Sequence, residues 1–143
     1  MKVLDDSNEV AFHSMFDQAV KIVITYSGSI SYDSMKGHFD MHGVAFLIDE
    51  KKIIVVDGEV VKNEWFSPEH LQIIDAHEVG HLLISPQDLH ENDVEKCADY
   101  VGFNLIKEKK LERAIDLYRR EYISRYGCSP EDDDELSYLI KNN

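Results

Sequence analysis

Apolar and polar positions divide this chain into a mainly extended first half and a helical second half. Residues 9–20 carry apolar side chains at spacings of three and four, which predicts an N-terminal helix. Residues 21–26 are β-branched and predict a strand or an extension of that helix. Residues 27–42 are rich in Ser, Gly and Asp and predict a loop. The apolar runs at 44–48 and 53–56, separated by charged residues, predict a β-hairpin.

The second half contains repeated helix signals. Ser67-Pro68-Glu69 combines a capping side chain, a proline suited to the first helical position and an acidic residue, so we expect a helix over residues 68–84. Two further amphipathic helices are expected over residues 92–109 and 111–125. Gly127 follows the last of these as a C-cap.

The order of these elements predicts an α+β fold, in which a short antiparallel or mixed sheet packs on helices. Ser129-Pro130-Glu131 repeats the start signal and predicts a short last helix. A chain of 143 residues fits one domain. Within residues 1–143, we expect an N-terminal helix and sheet over 1–66 and a helical part that holds the candidate site over 67–143.

The charge balance excludes two classes of partner. Fifteen Lys and Arg residues stand against 28 Asp and Glu residues, which gives a formal net charge of −13. Binding to a nucleic-acid backbone or to an anionic membrane surface needs positive charge, so we expect neither partner. A basic protein is the partner class that this charge favours.

The remaining composition predicts an intracellular protein. No segment reaches the roughly 18 apolar residues of a membrane-spanning helix. Residues 1–6 become acidic before a hydrophobic stretch forms, so we expect no signal peptide. Cys97 and Cys128 form neither a CxxC motif nor a disulfide framework, which favours a reduced, cytoplasmic protein.

One motif carries recognisable chemistry. His77-Glu78-Val79-Gly80-His81 is an HExxH sequence inside the predicted helix 68–84. Residues four apart lie on one helix face, so the imidazoles of His77 and His81 can converge on one ion. Zinc accepts imidazole nitrogen readily. Glu78 points past the ion and is placed to contact a metal-bound water.

A catalytic zinc site needs a third protein ligand and leaves its fourth position to water. The next predicted helix offers Glu95, which we expect to complete a His₂Glu set. Asp99 lies four residues later on the same face and can accept the outer N–H of a ligand histidine, which fixes its tautomer. The small Ala98 allows the two helices to approach closely.

Two other residues compete for the third ligand position. Cys97 offers a thiolate, but it lies two residues from Glu95 on roughly the opposite face, and its apolar neighbours favour a buried structural thiol. His90 lies nine residues beyond His81 in the connecting segment. A histidine so placed is a ligand in a different zincin class, whose full spacing is absent here.

The segment His77-Glu78-Val79-Gly80-His81-Leu82-Leu83, followed by Glu95-x-x-Ala98-Asp99-Tyr100-Val101-Gly102, resembles a minimal zincin of the gluzincin type. The family it resembles is the ImmA/IrrE-like metallopeptidases, with the signature HExGHxxLH and then an ExxA(N/D)xFA helix. The resemblance covers residues 68–107. It departs at Ser85, where the family has His, and at Gly102, where the family has Ala; neither position is a zinc ligand there.

The resemblance implies a zincin-like fold and one zinc ion per chain, held by His77, His81 and Glu95. It also implies that Glu78 is the catalytic base. The implied activity is zinc-dependent hydrolysis of peptide bonds in a protein or peptide substrate through a metal-activated water. The predicted hairpin offers an edge strand that can pair with an extended peptide.

Further residues have candidate roles in catalysis or in helix capping. A peptidase must stabilise the oxyanion of its reaction, and the candidates are His70, His90, Tyr100 and Tyr118, between which the sequence does not choose. Trp65-Phe66 is interpreted as a hydrophobic staple at the start of the HExxH helix.

Two alternatives stand beside an active peptidase. The first is a non-catalytic protein that retains a zincin scaffold and uses its acidic surface, including residues 131–135, to bind a basic partner. The second is a structural zinc domain with a closed four-ligand site, in which Cys97 or His90 is the extra ligand.

Overall fold

A computed structural model gives the fold and describes residues 9–28, 32–33, 37, 42–48, 50–84 and 91–134. The elements follow in the order β1 (Glu9–His13), β2 (Val20–Thr25), β3 (Gly43–Ile48), β4 (Lys51–Asp57), α1 (Gly58–Val61), α2 (Pro68–Leu83), α3 (Glu91–Glu108), α4 (Glu112–Tyr126) and a 3₁₀ turn (Pro130–Asp132). This combination of sheet and helices confirms the predicted α+β class.

The described strands form one mixed sheet in the order β1-β2-β4-β3. β1 pairs antiparallel with β2, β2 pairs parallel with β4, and β4 pairs antiparallel with β3. The inner strands β2 and β4 are the most buried because each has a neighbouring strand on both edges and carries Val and Ile residues that pack in the core. β3 lies at one edge, so one side of its backbone has no strand partner within the described part of the chain.

The helix predicted over residues 9–20 is wrong. This segment forms β1 and a six-residue connection into β2, residues 14–19, at which the N–H of Ser14 donates to the carbonyl of Val20 at 2.9 Å. The side chain of Ser14 accepts a hydrogen bond from the N–H of Phe16 at 3.0 Å. A short isolated helix is marginal in water, whereas pairing with β2 provides backbone partners, so the tertiary contact overrides the local pattern.

The other predicted elements that fall on described residues are confirmed. β3 and β4 form the hairpin, and the three long helices end within one residue of their predicted limits. Ser67 caps α2 as expected, and Gly127 ends α4 with a left-handed φ of 83°. The predicted last helix is a 3₁₀ turn where it is described. Residues 85–90 and 135–143 lie outside the described residues.

α2 lies between two hydrophobic clusters. On one side Ile74 and Val79 pack against the inner strands, in a cluster with Val20, Ile22, Ile24, Ile54 and Val56. On the other side Ile73 and Ala76 pack against residues of α3 and α4, which are Phe103, Ile106, Ala114 and Tyr118. The first part of the HExxH motif is therefore held inside the core.

A buried carboxyl group ties the β1–β2 turn to α2. Asp75 accepts hydrogen bonds from the Oγ of Ser14 at 2.7 Å and from the N–H of Met15 at 3.1 Å. Burial raises the pKa of Asp75 to about 6, although both hydrogen bonds lower it. The folded protein therefore holds this proton more tightly than the unfolded chain. The stability that the group contributes in acid is lost as the pH rises from about 4 to about 6.

Replacing Ser14 should expose this dependence. We expect Ser14→Ala to lower the free energy of unfolding by about 1–3 kcal/mol at pH 7.5, because the ionised Asp75 loses a buried donor. At pH 5 the carboxyl group is protonated in the folded protein, so the loss should be smaller. Urea unfolding at both pH values measures the difference. Ser124→Ala, on an exposed position of α4, is the matched control, and equal losses at the two pH values would contradict this account.

Candidate metal centre

α2 places two imidazoles edge to face. His77 and His81 lie one turn apart, with ring centroids 4.7 Å apart and planes at 88°. Their Nε2 atoms are 3.1 Å apart. The side chain of His77 is fully buried and that of His81 is 19% exposed, so the pair opens towards solvent on one side only.

Glu95 of α3 lies close to both of these Nε2 atoms. Its Oε1 lies 3.2 Å from the Nε2 of His77 and 3.3 Å from the Nε2 of His81. Three donor atoms from two helices are thus separated by 3.1–3.3 Å. Ligands about 2.0–2.1 Å from a tetrahedral zinc ion lie about 3.3 Å from one another, so the three separations fit that ion.

Asp99 contacts the ring nitrogen of His77 that faces away from Glu95. Its Oδ1 is 2.8 Å from the Nδ1 of His77 and accepts from the hydroxyl of Tyr118 at 2.9 Å. Its Oδ2 accepts from the hydroxyl of Tyr126 at 2.6 Å and from the Nη1 of Arg125 at 3.3 Å. Burial by itself raises the pKa of Asp99, but the bond to His77 and the other donors outweigh it and leave the pKa below its ordinary value.

These bonds fix the proton on His77. Because the ionised Asp99 can only accept, the Nδ1 of His77 carries hydrogen, and the Nε2 of the neutral ring presents a lone pair to Glu95. Two acceptors 3.2 Å apart repel unless a cation lies between them, either a metal ion or an additional proton on the ring. A metal ion can bind all three donor atoms together, whereas one proton can bridge a single pair of them.

Close packing of α2 on α3 brings the two halves of the site together. A Cβ atom added to Gly80 would lie 2.6 Å from the carbonyl oxygen of Ala98. One turn further along, a Cβ atom added to Gly102 would lie 2.9 Å from the carbonyl oxygen of Ala76. The helices therefore touch backbone to backbone, as the small Ala98 predicted.

Glu78 lies beside the three donor atoms. His77, Glu78 and His81 each offer a ligand atom within 4.8 Å of one another, and this group can hold a metal ion. The Oε2 of Glu78 is 3.9 Å from the Nε2 of His77, whereas the Oε1 of Glu95 is 3.2 Å from the same atom. By these distances Glu95 is a closer match than Glu78 for a third ligand, and Glu78 lies beside the three donor atoms.

The first residue of the edge strand packs against Glu78. A Cβ atom added to Gly43 would lie 3.3 Å from the Oε2 of Glu78 and 3.0 Å from the Cγ2 of Ile74. Glycine at this position leaves room for the carboxylate of Glu78, and it brings β3 alongside the site.

The other sequence candidates have different surroundings. Cys97 is buried against Tyr122, and burial raises the pKa of its thiol. Tyr100 lines a depression that it shares with Phe103, Asn104, Lys107, Pro130 and Glu131. Tyr118 donates to Asp99, and its pKa is raised well above the ordinary value by burial and by Asp99. His90 lies outside the described residues.

His70 belongs to the start of α2. Its Nδ1 accepts a hydrogen bond from the N–H of Ser67 at 3.0 Å, so it closes a capping box. It precedes His77 by seven residues, which is about 10.5 Å along the helix axis. This separation associates His70 with the rings of Trp65 and Phe66 rather than with the imidazole pair.

Two features of the site were not predicted from the sequence: the hydrogen bonds from α4 to Asp99 and the packing of Gly43 against Glu78. Tyr118, Tyr122, Arg125 and Tyr126 recur at helical spacing on α4. This stripe combines aromatic rings with polar tips, a pattern that indicates a buried polar group to be satisfied. The packing of Gly43 had no signal in the sequence, because it depends on how the sheet meets α2.

Comparisons of the chain with protein-family models, with curated proteins and with solved structures found no significant match. The site geometry is therefore the basis for assigning a function. Among the described residues, no helix combines the length and the apolar character that crossing a membrane requires.

Enlarging Gly80 should separate the two helices. In Gly80→Ala the new methyl group meets the backbone of Ala98, which we expect to cost about 1–3 kcal/mol despite the better helix propensity of alanine. Glu95 then moves away from the imidazoles, so zinc affinity should fall. Urea unfolding and zinc titration measure the two effects. Unchanged stability together with unchanged zinc affinity would contradict the close contact.

Proposed function

We propose that this chain is a zinc-dependent metallopeptidase that hydrolyses peptide bonds. The observation that supports it best is the convergence of the Nε2 atoms of His77 and His81 and the Oε1 of Glu95 within 3.1–3.3 Å, with Glu78 beside them. His77, His81 and Glu95 would hold the zinc ion. When bound, zinc lowers the pKa of a water ligand to about 7 and polarises the scissile carbonyl.

Each nearby side chain has a role in this proposal. Glu78 accepts the proton of the attacking water and returns it to the leaving amine, as a general base and then a general acid. Asp99 holds the ring of His77 in one tautomer and orientation, which raises its basicity as a ligand. Tyr118, Tyr126 and Arg125 keep Asp99 ionised.

The edge strand β3 is the proposed docking site for the substrate backbone. An extended peptide can add to an exposed sheet edge through main-chain hydrogen bonds. Gly43 places the beginning of this strand against Glu78, so a peptide paired with β3 would run past the proposed base. Leu47, further along the strand, is 62% exposed and offers an apolar contact.

The resemblance to the ImmA/IrrE-like metallopeptidases is part of the proposal. Its departure at Gly102 has a local steric reason, because a Cβ atom there would meet Ala76 and would lie 2.9 Å from the hydroxyl oxygen of Tyr118. The alternative of a closed structural zinc site finds less support. Cys97 packs against Tyr122, in a separate cluster from the imidazoles.

Removing the proposed base should separate catalysis from metal binding. We expect protein purified without chelators to carry about one equivalent of zinc and Glu78→Gln to keep it. Peptide cleavage in Glu78→Gln should fall by about 10²–10⁴-fold, the usual contribution of a general base. Metal analysis and a peptide-library assay measure the two properties, with Glu108→Gln on exposed α3 surface as the control. Absence of zinc, or full activity in Glu78→Gln, would overturn the proposal.

A methyl group at Gly43 should disturb the base without removing it. In Gly43→Ala the carboxylate of Glu78 must move by a few tenths of an ångström. Small misplacements of catalytic groups are costly, and we expect kcat to fall about tenfold with zinc content unchanged. Steady-state kinetics and metal analysis test this expectation. An unchanged kcat would show that Gly43 does not position Glu78.

A further inference from the structure

A small pocket lies along the N-terminal half of α2, where Ile73 and Ile74 line it. Its volume is about 130 Å³, and its walls include the rings of His42, Trp65, Phe66 and His70 together with Glu121 and Arg125 of α4. Pockets for whole small molecules usually measure about 300–1,000 Å³. This one is therefore the size of a single side chain.

The four rings form a connected aromatic wall. Trp65 lies 5.3 Å from His70, 6.0 Å from Phe66 and 6.4 Å from His42, measured between ring centroids. Phe66 packs on the core, as a staple residue does, but Trp65 is 55% exposed. The indole therefore presents area to the pocket that the fold does not bury.

The charges in the pocket favour a cation. Arg125 donates to the buried carboxylate of Asp99, which opposes its charge. Glu121 has no hydrogen bond or ion pair within the part of the chain that the structure describes, and it is half-buried. A pocket whose lining combines a carboxylate with an indole ring is suited to an ammonium or guanidinium group.

The pocket is close to the proposed reaction centre. Ile74 lines it and precedes Glu78 by four residues, which is about 6 Å along the helix axis. Ile74 and Glu78 also flank the same point beside Gly43. An extended peptide advances about 3.3 Å per residue, so the pocket lies one or two residues from a bond cleaved beside Glu78.

We infer that this pocket is a specificity subsite that binds an Arg or Lys side chain of the peptide substrate within two residues of the cleaved bond. The inference depends on the proposed peptidase function. The formal net charge of −13 supports it, because a strongly acidic protein attracts basic substrates.

Binding to the pocket can be measured without catalysis. Trp65 is the one tryptophan of the chain, so its fluorescence reports on this pocket. We expect N-acetyl-argininamide to change the emission saturably and N-acetyl-leucinamide to bind at least about threefold more weakly. Glu121→Gln should weaken argininamide binding about threefold or more, whereas Glu112→Gln on the same helix should not. Stronger binding of the leucine amide, or no saturable change with argininamide, would overturn the inference.

Peptide cleavage tests whether the pocket selects a side chain of the substrate. Matched peptides carry Arg, Met or Glu in turn at each of the two positions on either side of the cleaved bond, and we expect Arg at one of these positions to give the highest kcat/KM. Glu121→Lys should shift the Arg-to-Glu preference at least about tenfold towards Glu, with zinc content unchanged. Cleavage with no such shift would overturn the subsite and leave the peptidase standing. Zinc-loaded protein that binds argininamide but cleaves no peptide would overturn the peptidase function, and the role in substrate specificity with it.

Discussion

The backbone contact between α2 and α3 is the constraint on which the candidate site depends. Gly80 meets Ala98, and Gly102 meets Ala76, without intervening side chains. This closeness brings the carboxylate of Glu95, on a short side chain from a second helix, into the same small volume as two imidazoles. Any larger residue at these contacts would move Glu95 outward while leaving the HExxH motif intact.

A buried charge follows from that arrangement. Asp99 faces His77 from the interior, where an ionised carboxylate without partners would be costly. α4 supplies the compensation, because two tyrosine hydroxyls and one guanidinium of this helix donate hydrogen bonds to the Asp99 carboxylate, in addition to the bond with His77. The last long helix therefore belongs to the candidate metal centre even though it contributes none of the proposed ligands.

The sheet contributes to the site through one edge. β4 and β2 are enclosed on both sides by neighbouring strands, whereas β3 is an edge strand whose first residue, Gly43, packs against Glu78. The aromatic pocket lies at the same end of the molecule, between the start of β3, the start of α2 and the end of α4. Proposed base, docking edge and side-chain pocket thus share one face of α2.

The sequence alone determined the elements whose signals are local. The hairpin, the three long helices, the cap at Ser67 and the pairing of His77 with His81 all follow from spacing within one element, and the i, i+4 rule also selected Glu95 and Asp99. The tertiary structure decided what depends on contacts between elements. It made residues 9–20 a strand and turn, because β2 provides backbone partners that a short helix cannot match. It also recruited Tyr126 and Arg125 to Asp99 and placed Gly43 against Glu78, since the distances between separate elements are set by packing and leave no periodic trace in the chain.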